Sequence, residues 1–121
     1  MDERIRTLAD GLVNYSCQVK AGDRVYLHYT GESTRPLAKE LVRAVYRAGG
    51  VPFVHYTDPQ LQRLQIMECT REQMELMAKV DALEMSNMDC YIAVRGSGNV
   101  SELSDVPADR MALYEKYYVT P

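Results

Sequence analysis

Two histidines, three cysteines and one glycine-bearing turn are the residues of this 121-residue sequence whose types and spacing suit chemistry. His28 and His55 stand near the ends of two short β-rich runs, so pairing of those runs would bring both imidazoles to one face. A metal centre would need a third protein ligand there, and no Asp, Glu or Cys accompanies the pair. Hydrogen-bonded structural or docking histidines are therefore the expectation. Arg95-Gly96-Ser97-Gly98-Asn99 combines a cation, glycines and a hydroxyl, the components of an anion cradle. It is not a dinucleotide fingerprint, because Asn99, Val100 and Ser101 follow Gly98, and no G-K-[ST] makes it a P-loop. Thr30-Gly31-Glu32-Ser33 and Thr57-Asp58 are the other strand ends, where parallel sheets place ligands.

Cys17, Cys69 and Cys90 form no C-x-x-C pair and sit among apolar neighbours. Zinc-ribbon and thioredoxin-type readings lack support, and buried or half-buried structural thiols in a reducing cytoplasm are expected. No nucleophile, base and orienting group can be assembled. The residues thus assign no catalytic, cofactor-binding or metal-ligating position to this chain.

The elements that must position these groups follow from periodicity. Ile5, Leu8, Leu12 and Val13 mark an amphipathic helix that fades near Tyr15. Lys20 to Asp23 turns into the strand Val25 to Tyr29, bounded by Gly31. A second helix has Ser33 or Thr34 as cap and Pro36 in its first turn, buries Leu37, Leu41, Val45 and Ala48, and ends at Gly49-Gly50. A second strand spans Val51 to Tyr56. Asp58-Pro59 opens a helix carrying Leu61, Leu64 and Met67, and the capping box Thr70-Arg71-Glu72-Gln73 opens another through Met74, Met77 and Val80. Cys90 to Val94 lacks polar alternation and suits a central parallel strand covered on both faces, and Pro107 to Tyr117 supplies the last helix.

The order α-β-α-β-α-α-β-α implies an α/β fold: a three-layer sandwich with a small parallel sheet and helices on both faces. Right-handed crossovers predict strand order 2-1-3, with the first strand central. Leu12, Val25, Leu27, Leu41, Val45, Val54, Ile92 and Val94 form the expected core. One hydrophobic core suits this length, so residues 1–121 are expected to be a single domain.

The chain is 26% charged and 46% hydrophobic, with net charge −3. Nucleic acid is not an expected partner, because the balance is mildly acidic and no Lys/Arg stripe stands out. No apolar run approaches the ~20 residues of a membrane span, and Met1-Asp2-Glu3-Arg4 leads into a polar helix pattern rather than a signal-peptide h-region. Nine tyrosines and seven methionines suit an adaptable contact surface, though most methionines fall at helical core spacing. Tyr114, Tyr117 and Tyr118, clustered near the C-terminus, are the expected exposed patch.

Four stretches together resemble the beginning of the thermophilic-type metalloaminopeptidases, the aminopeptidase S, T and II group. They are Leu8 to Ser16 (LADGLVNYS), Val19 to Val25 (VKAGDRV), Tyr46 to Pro52 (YRAGGVP) and Asp89 to Gly96 (DCYIAVRG). The resemblance covers essentially the whole chain, and the first two stretches are its most specific part. It implies a two-domain enzyme that removes N-terminal amino acids from peptides with two divalent metal ions, zinc, cobalt or similar. The Glu, His and Asp ligands of such enzymes, and the Glu that activates the bridging water, belong to the later domain, and none of those motifs occurs here. The chain is accordingly expected to be the non-catalytic N-terminal domain, with Pro121 near the handover to the second. The implied partners are the C-terminal catalytic domain of the same polypeptide, peptide substrates of the full enzyme, and a second copy in a homo-oligomer. The alternatives are a freestanding flavodoxin-like or Rossmann-like small-ligand module and a non-enzymatic interaction module.

Overall fold

A computed structural model of the chain describes residues 3–96 and 106–119. Its contacts divide it into two compact units: Met1–Thr57 with Met88–Gly96, and Asp58–Asn87 with Ser97–Pro121.

The first unit holds α1 (Glu3–Gly11), a π-helical turn at Leu12–Ser16, β1 (Arg24–Thr30), a 3-10 turn at Glu32–Thr34, α2 (Arg35–Arg47), β2 (Val51–Thr57) and β3 (Cys90–Arg95). All three strands are parallel, in the order β2-β1-β3, so the expected order and central first strand are observed, but β3 is an edge strand with Tyr91 and Ala93 exposed, not a strand covered on both faces. Leu27 pairs with Val54 on one side and Ile92 on the other, while His28 pairs with His55 and Ala93. Because strand side chains alternate, Val25, Leu27 and Ile92 share one face, and Tyr26, His28, Phe53, His55 and Tyr91 share the opposite one.

The first of these faces packs on Ala9 and Val13 from the N-terminal helical segment and on Leu41, Ala44 and Val45 from α2. α2 starts with Pro36 in its first turn, where the missing N–H costs no hydrogen bond. It stops in a Schellman motif. Gly49 takes φ +86°, its N–H donates to Tyr46 O, and the Gly50 N–H reaches Val45 O at 2.9 Å. The expected side-chain cap is not made. Thr34 instead donates its hydroxyl backwards, to Gly31 O at 2.8 Å, because its backbone is already helical.

The expected core needs three corrections. Val25, Leu27, Leu41, Val45 and Ile92 are buried, but Val54 is 46% exposed because β2 is an edge strand that α2 covers incompletely. Leu12 and Val94 are only half-buried. In the N-terminal helical segment Ala9 and Val13, one turn apart, are buried while Leu8 is exposed.

The second unit contains α3 (Pro59–Glu68), α4 (Arg71–Met85), α5 (Ala108–Tyr114) and a π-helical turn at Glu115–Val119. Both predicted caps form: Asp58 accepts from the Gln60 and Leu61 N–H groups, and Thr70 accepts from the Gln73 N–H. The core gathers Ile66, Cys69, Met74, Val106 and Tyr114. Arg110 on α5 donates to Ile66 O at 3.0 Å and Cys69 O at 2.7 Å, satisfying carbonyls that the end of α3 leaves orphaned. Leu61 and Leu64, which the sequence placed on this helix, are exposed, as are Leu76, Val80 and Leu83 on α4. The expected tyrosine patch is corrected in the same way: Tyr114 is buried, and Tyr117 and Tyr118 are half-buried against this core.

Candidate functional site

The strand ends of the first unit converge as expected. The Gly31 N–H donates to Thr57 O at 3.3 Å and the Gly96 N–H to Thr30 O at 2.9 Å. Gly31 supplies the left-handed turn (φ +88°), and Gly96 fits so closely that a Cβ there would lie 2.8 Å from Ser33 Oγ. Two of the hydroxyls at this edge, those of Thr34 and Thr57, are already engaged in holding it together. Thr34 is turned to Gly31 and Thr30, and Thr57 Oγ1 shares a 2.6 Å hydrogen bond with His28 Nε2. Of the proposed anion cradle, Arg95 is exposed and Gly96 is packed on Ser33. Ser97, Gly98 and Asn99 lie outside the described residues.

His28 and His55 do share one face and sit directly across from each other in the register. Their rings nevertheless serve different contacts. His28 is bound to Thr57, while His55 stacks on Tyr26 with centroids 4.9 Å apart. Tyr26 also lies 6.3 Å from Tyr91, giving the face a row of aromatic side chains across all three strands. Alternation within each strand, combined with the pairing register, is the signal that reveals this row.

No group of three or more His, Cys, Asp or Glu side chains among the described residues converges on a point that could hold a metal ion. The cysteines are free thiols: Cys69 is buried, Cys17 and Cys90 half-buried. Burial, reinforced by a hydrogen bond to Cys17 and the nearby Asp23 charge, pushes the Cys90 thiol up to about 12. Burial raises Cys69 as well, against the opposing pull of Arg110. Thiols held protonated in this way are poor nucleophiles.

One feature escaped the chain-wide charge balance. Arg35, Lys39, Arg43 and Arg47 recur at four-residue spacing along α2 and form a basic row. Arg35 is paired with Glu32 at 3.1 Å and Arg47 with Asp10 at 2.8 Å, while Arg43 binds the buried Glu40. Lys39 has no carboxylate partner among the described residues. The spacing was legible in the sequence. The long-range Arg47–Asp10 pairing was not.

The sequence profile of a family described as thermophilic metalloprotease (M29) matches residues 1–120. No curated protein sequence matches the chain. Among solved structures, wild-type AmpT from Thermus thermophilus has the same fold, with a TM-score of 0.73 at 18% sequence identity over 95% of this chain. The chain spans 30% of the length of that structure.

Proposed function

The chain belongs to the thermophilic metalloprotease family M29, and on that premise we propose that it is the non-catalytic N-terminal domain of a metal-dependent aminopeptidase. The family implies a divalent metal in catalysis, and the donor set of this chain is the observation that carries the assignment. Metal-assisted peptide hydrolysis needs several convergent carboxylate and imidazole ligands around two ions, with a general base at the bridging water. Here the imidazoles are committed to Thr57 and Tyr26. The carboxylates of Asp10, Glu32, Glu40 and Glu75 are spread through separate arginine pairs, and Asp58 caps a helix. These groups do not fit a two-ion centre, so no catalytic step is routed through them.

The role that remains is docking to the catalytic domain. The exposed rows Leu61 and Leu64 on α3, and Leu76, Val80 and Leu83 on α4, support it, because apolar rows of this kind commonly mark interaction surfaces. Two measurements test the reading. The purified chain, given zinc, cobalt or manganese and an aminoacyl chromogenic substrate, is expected to show no turnover. Turnover that co-elutes with the chain and disappears with chelator overturns the proposal. The reading frame beyond Pro121 is expected to encode the Glu, His and Asp ligands, and a stop codon there overturns the two-domain reading.

A further inference from the structure

The outer flank of β2 combines three features that the aminopeptidase reading does not use. The first is an open sheet edge. The Val51 N–H donates to Asp23 O at 2.7 Å, and the Gly31 N–H to Thr57 O, so the odd-numbered residues of β2 direct their backbone groups at β1. Alternation then turns the N–H and C=O of Val54 and the C=O of Pro52 outward, and no fourth strand meets them among the described residues. Pro52 removes one donor from this edge but leaves the groups at Val54 intact.

The second feature is a shallow groove of about 100 Å³ beside that edge, lined by Tyr29, Arg35, Ala38, Lys39, Val42 and Val54. A volume of this size suits one small side chain, and the lining includes the 46% exposed Val54. The third is charge. Glu32 already engages Arg35 and accepts from the Tyr56 hydroxyl at 3.4 Å, whereas Lys39, on the groove wall, has no carboxylate partner among the described residues.

We propose that this flank binds an extended acidic peptide segment, which adds as a strand to the edge of β2. It sets a small apolar side chain in the groove and a carboxylate on Lys39. The chemistry of each part follows from the surface. Main-chain hydrogen bonds to Val54 supply the pairing, while the side chains two residues apart on the ligand face α2 together, one apolar and one acidic. A second copy of this chain is a poor occupant. Antiparallel pairing of two β2 edges would set two Lys39 ammoniums on the same face and bring neither a carboxylate, and like charges repel.

The test uses a fluorescein-labelled peptide, Ser-Glu-Thr-Val-Thr-Glu-Ser, whose Glu, Val and Glu fall on one side of a strand, and a matched peptide with Lys in place of Glu. The acidic peptide is expected to bind with strong salt dependence, and the lysine peptide at least about tenfold more weakly. Amide shifts in the labelled protein should centre on Val54 and Lys39. The variant K39E, its fold checked by circular dichroism, should lose binding about tenfold. V54K, which places a charge in the groove, should lose it as well. Equal binding of both peptides, shifts centred elsewhere, or unchanged binding by K39E overturns the proposal. So does a labelled oligothymidylate that binds more tightly than the acidic peptide and depends on Lys39, since the row would then serve a nucleic acid. None of these results bears on the aminopeptidase reading.

Discussion

His28 and His55 stand opposite each other on adjacent parallel strands, yet each ring is committed elsewhere, His28 to Thr57 Oγ1 at 2.6 Å and His55 to the face of Tyr26. The hydrogen bond fastens the side chain of β1 to the last residue of β2, beside the Gly31 turn. Replacing Thr57 with valine keeps the shape and leaves His28 without that partner. A single hydrogen bond of this kind contributes on the order of 1 kcal/mol. T57V is expected to lose about 1 kcal/mol in urea denaturation with an unchanged m-value, and undiminished stability would show that the bond contributes nothing.

Ile92 and Val54 flank Leu27 on the same face, one on each side, but only Ile92 is covered, at 6% exposure against 46%. Truncation should therefore separate them. I92A removes buried methylenes and leaves a cavity, at a cost of about 2–4 kcal/mol, whereas V54A, at a half-open position, should cost about 1 kcal/mol or less. Paired urea curves check this, and equal losses would mean that β2 is covered as fully as β3.

Gly50 is closed in by three groups. A Cβ there would lie 2.8 Å from Val19 Cγ1, 3.0 Å from Val45 Cγ1 and 3.2 Å from Asp23 O. Both valines are buried and β-branched, so neither side chain yields without moving backbone. G50A is expected to destabilise by about 1–3 kcal/mol, the usual cost of overpacking. A thermal melt that matches or exceeds the parent would show that the junction between α2 and β2 relaxes freely.

The sequence carried the strands, their order and the helix starts, because the signals there are local. Asp58-Pro59 and Thr70 act on N–H groups two or three residues away, and the Gly49-Gly50 stop needs only one left-handed residue. It misplaced burial where the partner surface decides. In α3 the apolar residues Leu61, Leu64, Ile66 and Met67 point in several directions, and Ile66 is the one buried, beside Cys69 and Met74. Periodicity ranks faces, and with an apolar set this broad it cannot choose between them. Thr34 was misread for a related reason: a hydroxyl near a helix start bonds forward or backward according to its own backbone conformation, which composition does not reveal. The histidine pair was legible as a geometric juxtaposition, while the engagement of each ring depended on Thr57 and Tyr26 across the register.

The thiol of Cys90 gives the chain an alkaline limit. In the folded state it is pushed up from its ordinary 9.0 to about 12, chiefly by burial, then by the Cys17 hydrogen bond and the neighbouring Cys17 and Asp23 charge. Unfolding exposes the thiol and restores its ordinary ionisation. Above pH 9 the unfolded chain therefore releases a proton that the folded chain retains, and ionisation favours the unfolded side. The contribution is fully present below pH 9 and disappears as the pH rises from 9 towards 12. Cys69 and Tyr114 are raised as well, each chiefly by burial, and act with the same sign. An alkaline fall in melting temperature is thus a joint effect. The difference between the parent and C90V isolates the part due to Cys90, because valine is near in size and cannot ionise. Melts at constant ionic strength between pH 8 and pH 11 should fall less steeply for C90V than for the parent, with the two curves converging towards high pH if valine is the costlier fit at neutral pH. Curves that stay parallel throughout would mean that the Cys90 thiol ionises alike in both states.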